Sequence, residues 1–500
     1  MQKNILEYLE ATAGRLPEKK AFESDTEDLT FRQVHQQSRA IGSRLLKDGF
    51  HSQPIPVLMG KRPQTIAAFF GIIYAGCYYV PLDVQMPRHR LEQILFQLPD
   101  GPILCDDEAK ELALSLNRPA LFYSDAAFGP MDDAALAAVR EAQIDLDPIY
   151  IVFTSGSTGV PKGVMGCHRA VMDYIENLCT VLKFDQDTVF GNQTPLYFDA
   201  CLKEIIPTIK YGASTVLIPK SKFLFPVQLI EFLNDHRINT LCWVVSALTM
   251  ISSLGALDTV VPQYVRTIAF ASEIFPIRQL NRWRSALPHA RFLNLYGPTE
   301  TTGICCYYEV DRAFSQEETL PIGRPFPNTQ ILLLDEHNRI PEPGQQGEIC
   351  IRGTRLTLGY YADAQRTEAA FVQNPLHNRY PDTIYRTGDL GRYNVRGELE
   401  FISRKDHQIK HMGHRIELGE IEAAACSQKD VTGACCLYTS GKLFLYYTGP
   451  APASELSSFL RSRLPRYMLP AVLNHLDVLP RTPNGKPDRK TLLERSSHHG

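Results

Sequence analysis

Residues 154–163 read TSGSTGVPKG and directly follow the apolar run YIVF at 150–153. This order predicts a buried strand that ends in a loop rich in glycine and hydroxyl side chains. Such a loop presents successive backbone N–H groups and hydroxyls to an anion, and a lysine adds positive charge at its rim. The sequence therefore predicts a phosphate-binding loop that comprises Thr154, Ser155, Gly156, Ser157, Thr158, Gly159 and Lys162.

Two familiar nucleotide-binding patterns do not fit this loop. A Walker-type loop needs Gly-Lys followed by Ser or Thr, whereas Lys162 stands between Pro161 and Gly163. A dinucleotide fingerprint needs a second glycine where Thr158 stands. The remaining alternative is a flexible surface turn, which the preceding strand and the Pro-Lys-Gly ending disfavour.

Composition narrows the class of protein. A chain of 500 residues exceeds what one core usually organises, so we expect two or more domains. The 52 Lys and Arg nearly balance the 55 Asp and Glu, which gives no support to a nucleic-acid or membrane surface. The 12 cysteines include no C-x-x-C motif and the N-terminus is not a signal peptide, so we expect a reduced, cytoplasmic protein.

Periodicity predicts a mixed α/β fold. Helical patterns occur at 31–46 and 63–74, and short β-rich runs fall at 267–270, 291–295 and 347–351. Strands that alternate with helices over the first four hundred residues predict largely parallel sheets covered by helices.

A charged stretch at 403–406, SRKD, indicates a domain boundary after a strand at 398–402. We expect a large domain over 1–403 and a small α+β lid over 404–500. The predicted elements of the lid are helices at 417–425 and 453–464 and strands at 434–438 and 443–448.

Eight motifs in order give the chain a family resemblance. They are AGCYYVPLD (75–83), the loop at 154–163, YFDA (197–200), NLYGPTET (294–301), GEICIRG (347–353), YRTGDL (385–390), SRKDHQIKHMGHRIELGEIE (403–422) and PNGK (483–486). With these motifs the chain resembles, almost end to end, the acyl-adenylate-forming superfamily and specifically the adenylation domains of nonribosomal peptide synthetases. The resemblance implies a core that binds ATP and substrate, and a mobile lid that carries a catalytic lysine.

The implied first reaction joins a carboxylate to the α-phosphate of ATP and expels pyrophosphate. Electrostatic stabilisation from a magnesium ion, a cation and N–H donors should dominate it. By resemblance, Thr154, Ser155 and Thr158 hold the β- and γ-phosphates, Glu300 binds Mg²⁺ and Thr299 contacts the α-phosphate. Without the motif around it, Glu300 would be read as a solvated carboxylate.

The resemblance also assigns the nucleoside contacts. Tyr296 would stack on adenine, Asn294 would lie near its amino edge, and Asp389 would accept both ribose hydroxyls. Arg404 would contact ribose or phosphate. The alternative for Tyr296 is a core tyrosine, and that for Asp389 is an ordinary Gly-Asp turn. The alternative for Arg404 is a surface arginine next to Asp406.

Two residues near and beyond the boundary have roles that only the resemblance supplies. Lys486 would bridge the substrate carboxylate and the α-phosphate, although an isolated PNGK is usually an exposed turn. Asp406 would be the hinge about which the lid rotates between adenylate and thioester formation. His407, His411 and His414 fall inside the family loop with no adjoining cysteine, so we do not expect a zinc site.

The substrate prediction rests on Asp199, which matches the aspartate that binds the α-ammonium of an amino acid; its alternative role is a helix cap. If Lys203 points inward, the cost of a buried unpaired ammonium favours a carboxylate or carbonyl on the substrate, as in glutamate or a relative. If it points outward, Trp243 would shape an apolar site. The remaining predicted pocket residues are Ala200, Ala269, Ala271, Leu295, Gly303 and Ile304.

We therefore expect a free-standing enzyme that uses ATP and Mg²⁺ to activate an amino acid and passes it to the phosphopantetheine of a separate carrier protein. No nucleic-acid or membrane partner is expected. One alternative is an acyl-CoA synthetase that acts on a fatty or aryl acid; another is a non-catalytic binding protein with this fold. Stereochemistry, carrier identity, pathway and oligomeric state do not follow from the sequence.

Overall fold

The computed structural model describes residues 2–156, 159–482 and 487–496. The chain divides into two compact units. The larger unit comprises Met1–Val84, Pro99–Val152 and Gly163–Lys405, and the smaller comprises Gln85–Leu98, Phe153–Lys162 and Asp406–Gly500. The smaller unit thus joins two early segments to the C-terminal part of the chain. The boundary after residue 403 and the mobility of the lid stay predictions.

Nine strands of the described residues form the largest sheet, which belongs to the larger unit. Its inner strands run parallel and its outermost pairings are antiparallel. Alternation along each strand sends Ile268 and Phe270 into one buried cluster and Ala269 into another. In order across the sheet, the strands are Arg324–Pro325, Cys306–Glu309, Arg291–Tyr296, Thr267–Ala271, Thr240–Val244, Val189–Asn192, Ser214–Leu217, Lys20–Glu23 and Asp28–Thr30.

A second sheet contains six of the described strands, five of which form parallel pairs. The strand Pro148–Thr154 is mostly buried and ends where the glycine-rich segment begins, so the predicted strand is confirmed. In order, the strands are Ala120–Phe122, Ile103–Cys105, Pro54–Leu58, Tyr78–Leu82, Pro148–Thr154 and Lys162–Cys167.

The third sheet of the larger unit is antiparallel. The prediction of largely parallel sheets is therefore wrong for residues 329–404. Parallel neighbours need crossover connections, and a single α-helix, Ala364–Ala370, falls within this fully described stretch. The strands are Thr329–Leu334, Gly347–Gly353, Thr383–Tyr393 and Phe371–Gln373 in order, with Leu399–Arg404 also paired to Thr383–Tyr393.

Helices flank the sheets of the larger unit, which confirms the mixed α/β class. The predicted helices at 31–46 and 63–74 are both present, and the first begins with a capping box between Thr30 and Gln33. The α-helices are Leu6–Arg15, Phe31–Lys47, Pro63–Tyr74, Lys110–Ser115, Tyr123–Ala126, Asp133–Ala142, His168–Leu182, Leu202–Tyr211, Pro226–Asp235, Val245–Ser253, Ala256–Thr259, Ile277–Ala286 and Ala364–Ala370. Short 3₁₀ turns occur at Asp199–Cys201, Lys220–Leu224 and Thr299–Thr301.

The smaller unit is α+β, and its predicted C-terminal helices and strands are confirmed. Its core contains buried residues such as Ile421, Leu445 and Leu456. Its strands are Gln408–His411 with His414–Glu417, and Gly433–Thr439, Lys442–Thr448 and Val472–His475. Its helices are Arg88–Phe96, Leu418–Cys426, Ala453–Arg463, the 3₁₀ turn Arg466–Met468 and Arg489–Ser496. Over the described ranges, no helix has the length and apolar character needed to cross a membrane.

Candidate active site

Asp199 lies in the short 3₁₀ turn that precedes the helix Leu202–Tyr211. Its carboxylate is buried and lies near the Thr299 side chain. Burial raises the pKa of Asp199 to about 6; the nearby Glu300 charge adds to the rise, whereas Thr299 and Lys203 oppose it. A cation bound to Asp199 would favour its ionised form. The structure therefore brings together Asp199, Thr299 and Glu300, as the sequence predicts.

Glu300 lies in the turn Thr299–Thr301, after the strand Arg291–Tyr296, and its side chain is fully buried. The Tyr360 hydroxyl donates a hydrogen bond to Glu300 Oε1 over 2.8 Å. The backbone N–H and the hydroxyl of Thr357 both donate to the Glu300 carbonyl, each over 3.0 Å. The segment from Thr357 to Tyr360 thus holds both the backbone and the carboxylate of Glu300.

A carboxylate in this setting suits a magnesium ion that is bound mainly through a nucleotide. Mg²⁺ is usually held by one or two carboxylates together with substrate phosphates and water. Among the residues that the structure describes, no three His, Cys, Asp or Glu side chains cluster to hold a metal on their own. The buried Glu300 carboxylate, oriented by Tyr360, fits the role of a carboxylate ligand to magnesium in complex with ATP.

Asp389 lies between two donors in the larger unit. Tyr296 donates its hydroxyl to Asp389 Oδ2 over 2.5 Å, and Arg404 Nη1 donates to Asp389 Oδ1 over 2.5 Å. Asp389 and Arg404 are opposite each other in their antiparallel strands, which explains the second contact. Burial raises the pKa of Tyr296 well above its usual value, and Asp389 adds to the rise. Asn294, two residues before Tyr296, is buried and its amide donates to the Pro321 carbonyl over 2.8 Å.

The small pocket residues come from neighbouring strand ends and the loop that follows them. Ala269, Leu295 and Ile304 belong to one buried cluster, against which Ala271 packs. Gly303 has φ +85°, and a Cβ there would lie 3.4 Å from the Tyr174 ring. That distance is an ordinary van der Waals contact, so the positive φ is what favours glycine at this position. The predicted residue Ala200 directly follows Asp199 in the same 3₁₀ turn.

Trp243 is not brought to these residues, and its predicted pocket role needs correction. It pairs in register with Phe270, and both side chains belong to the buried cluster on the face of the sheet opposite Ala269. Its indole N–H donates to the Gly191 carbonyl over 2.6 Å. Cys242 instead pairs with Ala269 and shares its cluster. Because side chains alternate along a strand, a shift of one residue changes the face. Alternation places Cys242 and Trp243 on opposite faces, and the register with Ala269 selects Cys242 for the face of the predicted pocket.

Lys203 is buried, so the alternative in which it points to solvent does not apply. Its ammonium donates to the Ala200 carbonyl over 2.9 Å and to Thr194 Oγ1 over 3.2 Å. Both acceptors are neutral oxygens. Within the described ranges, Lys203 forms no ion pair closer than 4 Å.

Sequence reasoning missed the charged residues that surround Lys203. Glu204 is fully buried and accepts a hydrogen bond from the Asn192 amide. Lys61 donates to the carbonyls of Asn192 (2.8 Å), Gln193 (3.1 Å) and Ile218 (3.1 Å). Burial lowers the pKa of Lys61 and raises that of Glu204, and the Lys61 and Lys203 charges limit the rise at Glu204. Local sequence gives no signal for this group because Lys61 and Glu204 are far apart in the chain.

The predicted phosphate loop belongs to the smaller unit, where its first residues are already in contact with protein groups. Ser155 donates its hydroxyl to the Arg415 carbonyl over 2.8 Å. The Gly156 N–H donates to Glu420 Oε2 over 3.2 Å. Thr154 Oγ1 is buried and has no hydrogen-bond partner among the described residues. The loop therefore carries donors suited to an anion, two of which are engaged by acceptors of the same unit.

A buried ion pair supports this arrangement. Glu420 also binds Arg90, and both side chains are almost completely buried. Glu420 can thus accept from Gly156 without being an isolated buried charge. The sequence did not suggest this pair, whose members are 330 positions apart.

Three further predicted residues of the smaller unit are Gly159, Lys162 and Asp406. Gly159 has φ +82°, which favours glycine, and Lys162 is buried at the start of the strand Lys162–Cys167. Asp406 is the first residue of the C-terminal segment and accepts from the Gln408 N–H over 3.1 Å. Its role as a hinge stays a prediction. Ser157, Thr158 and Lys486 lie outside the described residues.

Comparison with known proteins identifies the family. The family described as AMP-binding enzyme matches residues 9–361. Over 98% of its length the chain is 29% identical to bacitracin synthase 1 of Bacillus licheniformis and 32% identical to tyrocidine synthase 3 of Brevibacillus parabrevis. It spans only 9% and 8% of those relatives.

Solved structures similar to this chain are consistent with the family match. Holo-PA1221, an NRPS protein containing adenylation and PCP domains bound to a vinylsulfonamide inhibitor, is 26% identical with a TM-score of 0.84; the match covers 99% of this chain and 84% of that one. IdnL1 is 26% identical with a TM-score of 0.82, over 96% and 99% of the two chains. o-Succinylbenzoate CoA synthetase from Bacillus subtilis shares the fold at 22% identity, with a TM-score of 0.85 over 99% of each chain. This chain therefore belongs to the AMP-binding enzyme family, and the relatives and solved structures that it resembles include nonribosomal peptide synthetases.

Proposed function

We propose that this enzyme activates an amino acid with ATP to form aminoacyl-AMP and pyrophosphate, and then transfers the aminoacyl group to the phosphopantetheine thiol of a separate carrier protein. The observation that carries the proposal is the buried carboxylate of Asp199 beside Thr299 and Glu300. The likeness to a solved protein with adenylation and PCP domains supports a carrier protein as the acceptor.

The charge at Asp199 separates amino acids from other carboxylic acids. An α-ammonium would give this buried carboxylate a cationic partner, whereas a fatty or aryl acid would leave it unpaired. A site built to bind a polar group discriminates strongly against an analogue that lacks it, because the protein group is then left unsatisfied. Asp199 therefore favours an amino acid over the substrates of an acyl-CoA synthetase.

The remaining predicted residues are proposed to bind the nucleotide. Asp389 would accept the ribose hydroxyls, Tyr296 would pack against adenine, and Glu300 would hold Mg²⁺. When bound, the ion neutralises charge on the phosphates. Lys486 would stabilise the negative charge of the transferring phosphoryl group, and the PNGK motif alone supports that role.

Lys203 favours an acidic side chain on the substrate. Its buried ammonium has neutral hydrogen-bond acceptors at Thr194 and Ala200. Two buried carboxylates, Asp199 and Glu204, already lie near this ammonium, without an ion pair closer than 4 Å in the described part of the chain. A substrate carboxylate in direct contact would add an anionic partner and offset more of the cost of burying the charge. We therefore infer glutamate or a related amino acid as the substrate.

The test is ATP–pyrophosphate exchange with a panel of amino, aryl and fatty acids. We expect exchange with amino acids, with glutamate ahead of glutamine and leucine. The product is then followed by mass spectrometry on a purified phosphopantetheinylated carrier protein, which should gain one aminoacyl group. Exchange confined to aryl or fatty acids, with CoA as the acceptor, would identify an acyl-CoA synthetase. The absence of exchange with every acid would support a non-catalytic binding protein.

A further inference from the structure

We propose that Tyr360 is a positioning residue for magnesium–ATP: its hydroxyl holds the Glu300 carboxylate in the orientation from which that group binds the cation. The inference rests on the proposed function, since it assumes that Glu300 is the metal ligand. It adds a residue outside the motifs that suggested the site.

The backbone around Glu300 is fixed by the segment that leads to Tyr360. Thr357 donates twice to the Glu300 carbonyl, each time over 3.0 Å. Thr302 lies two residues after Glu300, and its hydroxyl donates to the Arg355 carbonyl over 2.9 Å. The buried Arg355 guanidinium in turn donates to the Ile304 carbonyl over 2.7 Å. With the backbone held in this way, the orientation of the Glu300 carboxylate is set by its side-chain partners, of which Tyr360 is one.

Tyr360 is well placed to hold that orientation. Its hydroxyl lies 2.8 Å from Glu300 Oε1. Its own backbone N–H donates to Thr367 Oγ1 over 2.9 Å, and it forms an antiparallel bridge with Val164. Its ring meets Phe371 edge-on, with 6.1 Å between the ring centroids. The donor that faces Glu300 is therefore a rigid part of the fold.

Orientation of a carboxylate ligand matters for this ion in particular. Mg²⁺ demands nearly ideal octahedral geometry and gives up bound water reluctantly, so a rotated carboxylate is a poor ligand. Hydrogen-bond partners behind the ligands are important for metal affinity, and removing one typically weakens binding by about 10- to 100-fold. Loss of the Tyr360 hydroxyl should therefore weaken metal binding while leaving the chemistry intact once metal is saturating.

The test is Tyr360→Phe, with Mn²⁺ as a paramagnetic probe in the complex of the enzyme with α,β-methylene-ATP. We expect the Mn²⁺ dissociation constant, measured by electron paramagnetic resonance, to rise by about 10-fold or more. The Mg²⁺ concentration that gives half-maximal exchange should rise by a similar factor, with the rate at saturating Mg²⁺ nearly unchanged.

Tyr74→Phe is the matched control. Tyr74 also donates its hydroxyl to a glutamate, Glu10, over 2.9 Å, and it is 6% exposed compared with 7% for Tyr360. The same atom is thus removed at similar burial, outside the predicted site. We expect no change in the Mn²⁺ constant. An equal rise of the Mn²⁺ dissociation constant in Tyr360→Phe and Tyr74→Phe would show a general loss of structure and would overturn the inference.

A second variant separates positioning from packing. p-Aminophenylalanine at position 360 keeps a donor in place of the hydroxyl, and we expect it to restore Mn²⁺ affinity and to remain folded even if Tyr360→Phe does not. An unchanged Mn²⁺ constant in Tyr360→Phe, or no recovery with the amino variant, would overturn the role of Tyr360 alone. A wild-type enzyme that shows no exchange with any acid would instead overturn the proposed function.

Discussion

The polar groups of the two units are held in opposite ways. In the larger unit, carboxylates that should face the ligand already accept protein hydrogen bonds: Asp389 from Tyr296 and Arg404, and Glu300 from Tyr360. In the smaller unit, the loop groups that should face phosphate are donors, and two of them, the Ser155 hydroxyl and the Gly156 N–H, already donate to acceptors of that unit.

The difference shows which contacts can persist when a ligand binds. A carboxylate has several lone pairs, so Glu300 can keep its Tyr360 contact and still bind a cation. A backbone N–H has a single hydrogen, so Gly156 must give up Glu420 before it can donate to phosphate. The larger unit therefore presents positioned acceptors, whereas the smaller unit presents donors that have to be exchanged.

The largest effect is expected in the segment 406–500, at Lys486. Lys486→Ala should lower the exchange rate by about 100- to 1000-fold because one charge that stabilises the transition state is lost. ATP affinity, measured by titration calorimetry, should remain near that of wild type. Lys490→Ala, at a nearby exposed lysine, is the control and should retain full activity. Exchange near the wild-type rate in Lys486→Ala would exclude the assigned role.

The next effect concerns stability of the smaller unit. Glu420→Ala leaves Arg90 as an unpaired buried charge, so the free energy of unfolding should fall by about 3–5 kcal/mol in equilibrium urea titrations. Glu92→Ala removes an exposed partner of Arg88 on the same helix as Arg90 and should cost about 0–1 kcal/mol. Similar losses in the two variants would show that the buried pair does not organise this unit.

A smaller, graded effect is expected at Asp199 in the larger unit. Its pKa, raised to about 6, means that the carboxylate is ionised above that pH and protonated below it. Affinity for the amino acid alone should therefore fall by about tenfold per pH unit below pH 6. Calorimetry between pH 5 and 8 measures this, and Asp199→Asn should give weak binding without that dependence. Equal wild-type affinity at pH 5 and pH 7 would contradict the assignment.

The smallest effect on specificity is expected at Trp243. Trp243→Phe should leave the ranking of amino acids in the exchange assay unchanged, because this side chain packs on the far face of the sheet. Cys242→Val should change the relative rates by about 10-fold or more, since added methyl groups in a pocket alter substrate discrimination on that scale. The reverse pattern would restore the pocket role first predicted for Trp243.

Much of the fold follows from local signals. The apolar run at 150–153 forms a strand as expected, and the helices at 31–46 and 63–74 are also present. Periodicity does not reveal the direction of strand pairing, so the antiparallel sheet at 329–404 was missed. It also does not reveal that Gln85–Leu98 and Phe153–Lys162 join the smaller unit, which depends on long-range contacts.

The site was predictable where the motifs lie on paired strands. Asp389 and Arg404 come from separate motifs, and they meet because their strands pair in register. The sequence analysis assigned Trp243 to the pocket, whereas its side chain lies on the other face of the sheet, because a shift of one position along a strand changes the face. Glu204 and Tyr360 were missed because they acquire meaning only through partners distant in the sequence.

The central claim is that Asp199 selects the α-ammonium of an amino acid. The most direct measurement compares ATP–pyrophosphate exchange for the preferred amino acid with that for its des-amino analogue, in wild type and in Asp199→Asn. We expect a preference of at least about 100-fold for the amino acid in wild type, because the analogue leaves a buried carboxylate without a cationic ligand group, and loss of most of that preference in Asp199→Asn. Equal activation of the two acids by the wild-type enzyme would contradict it.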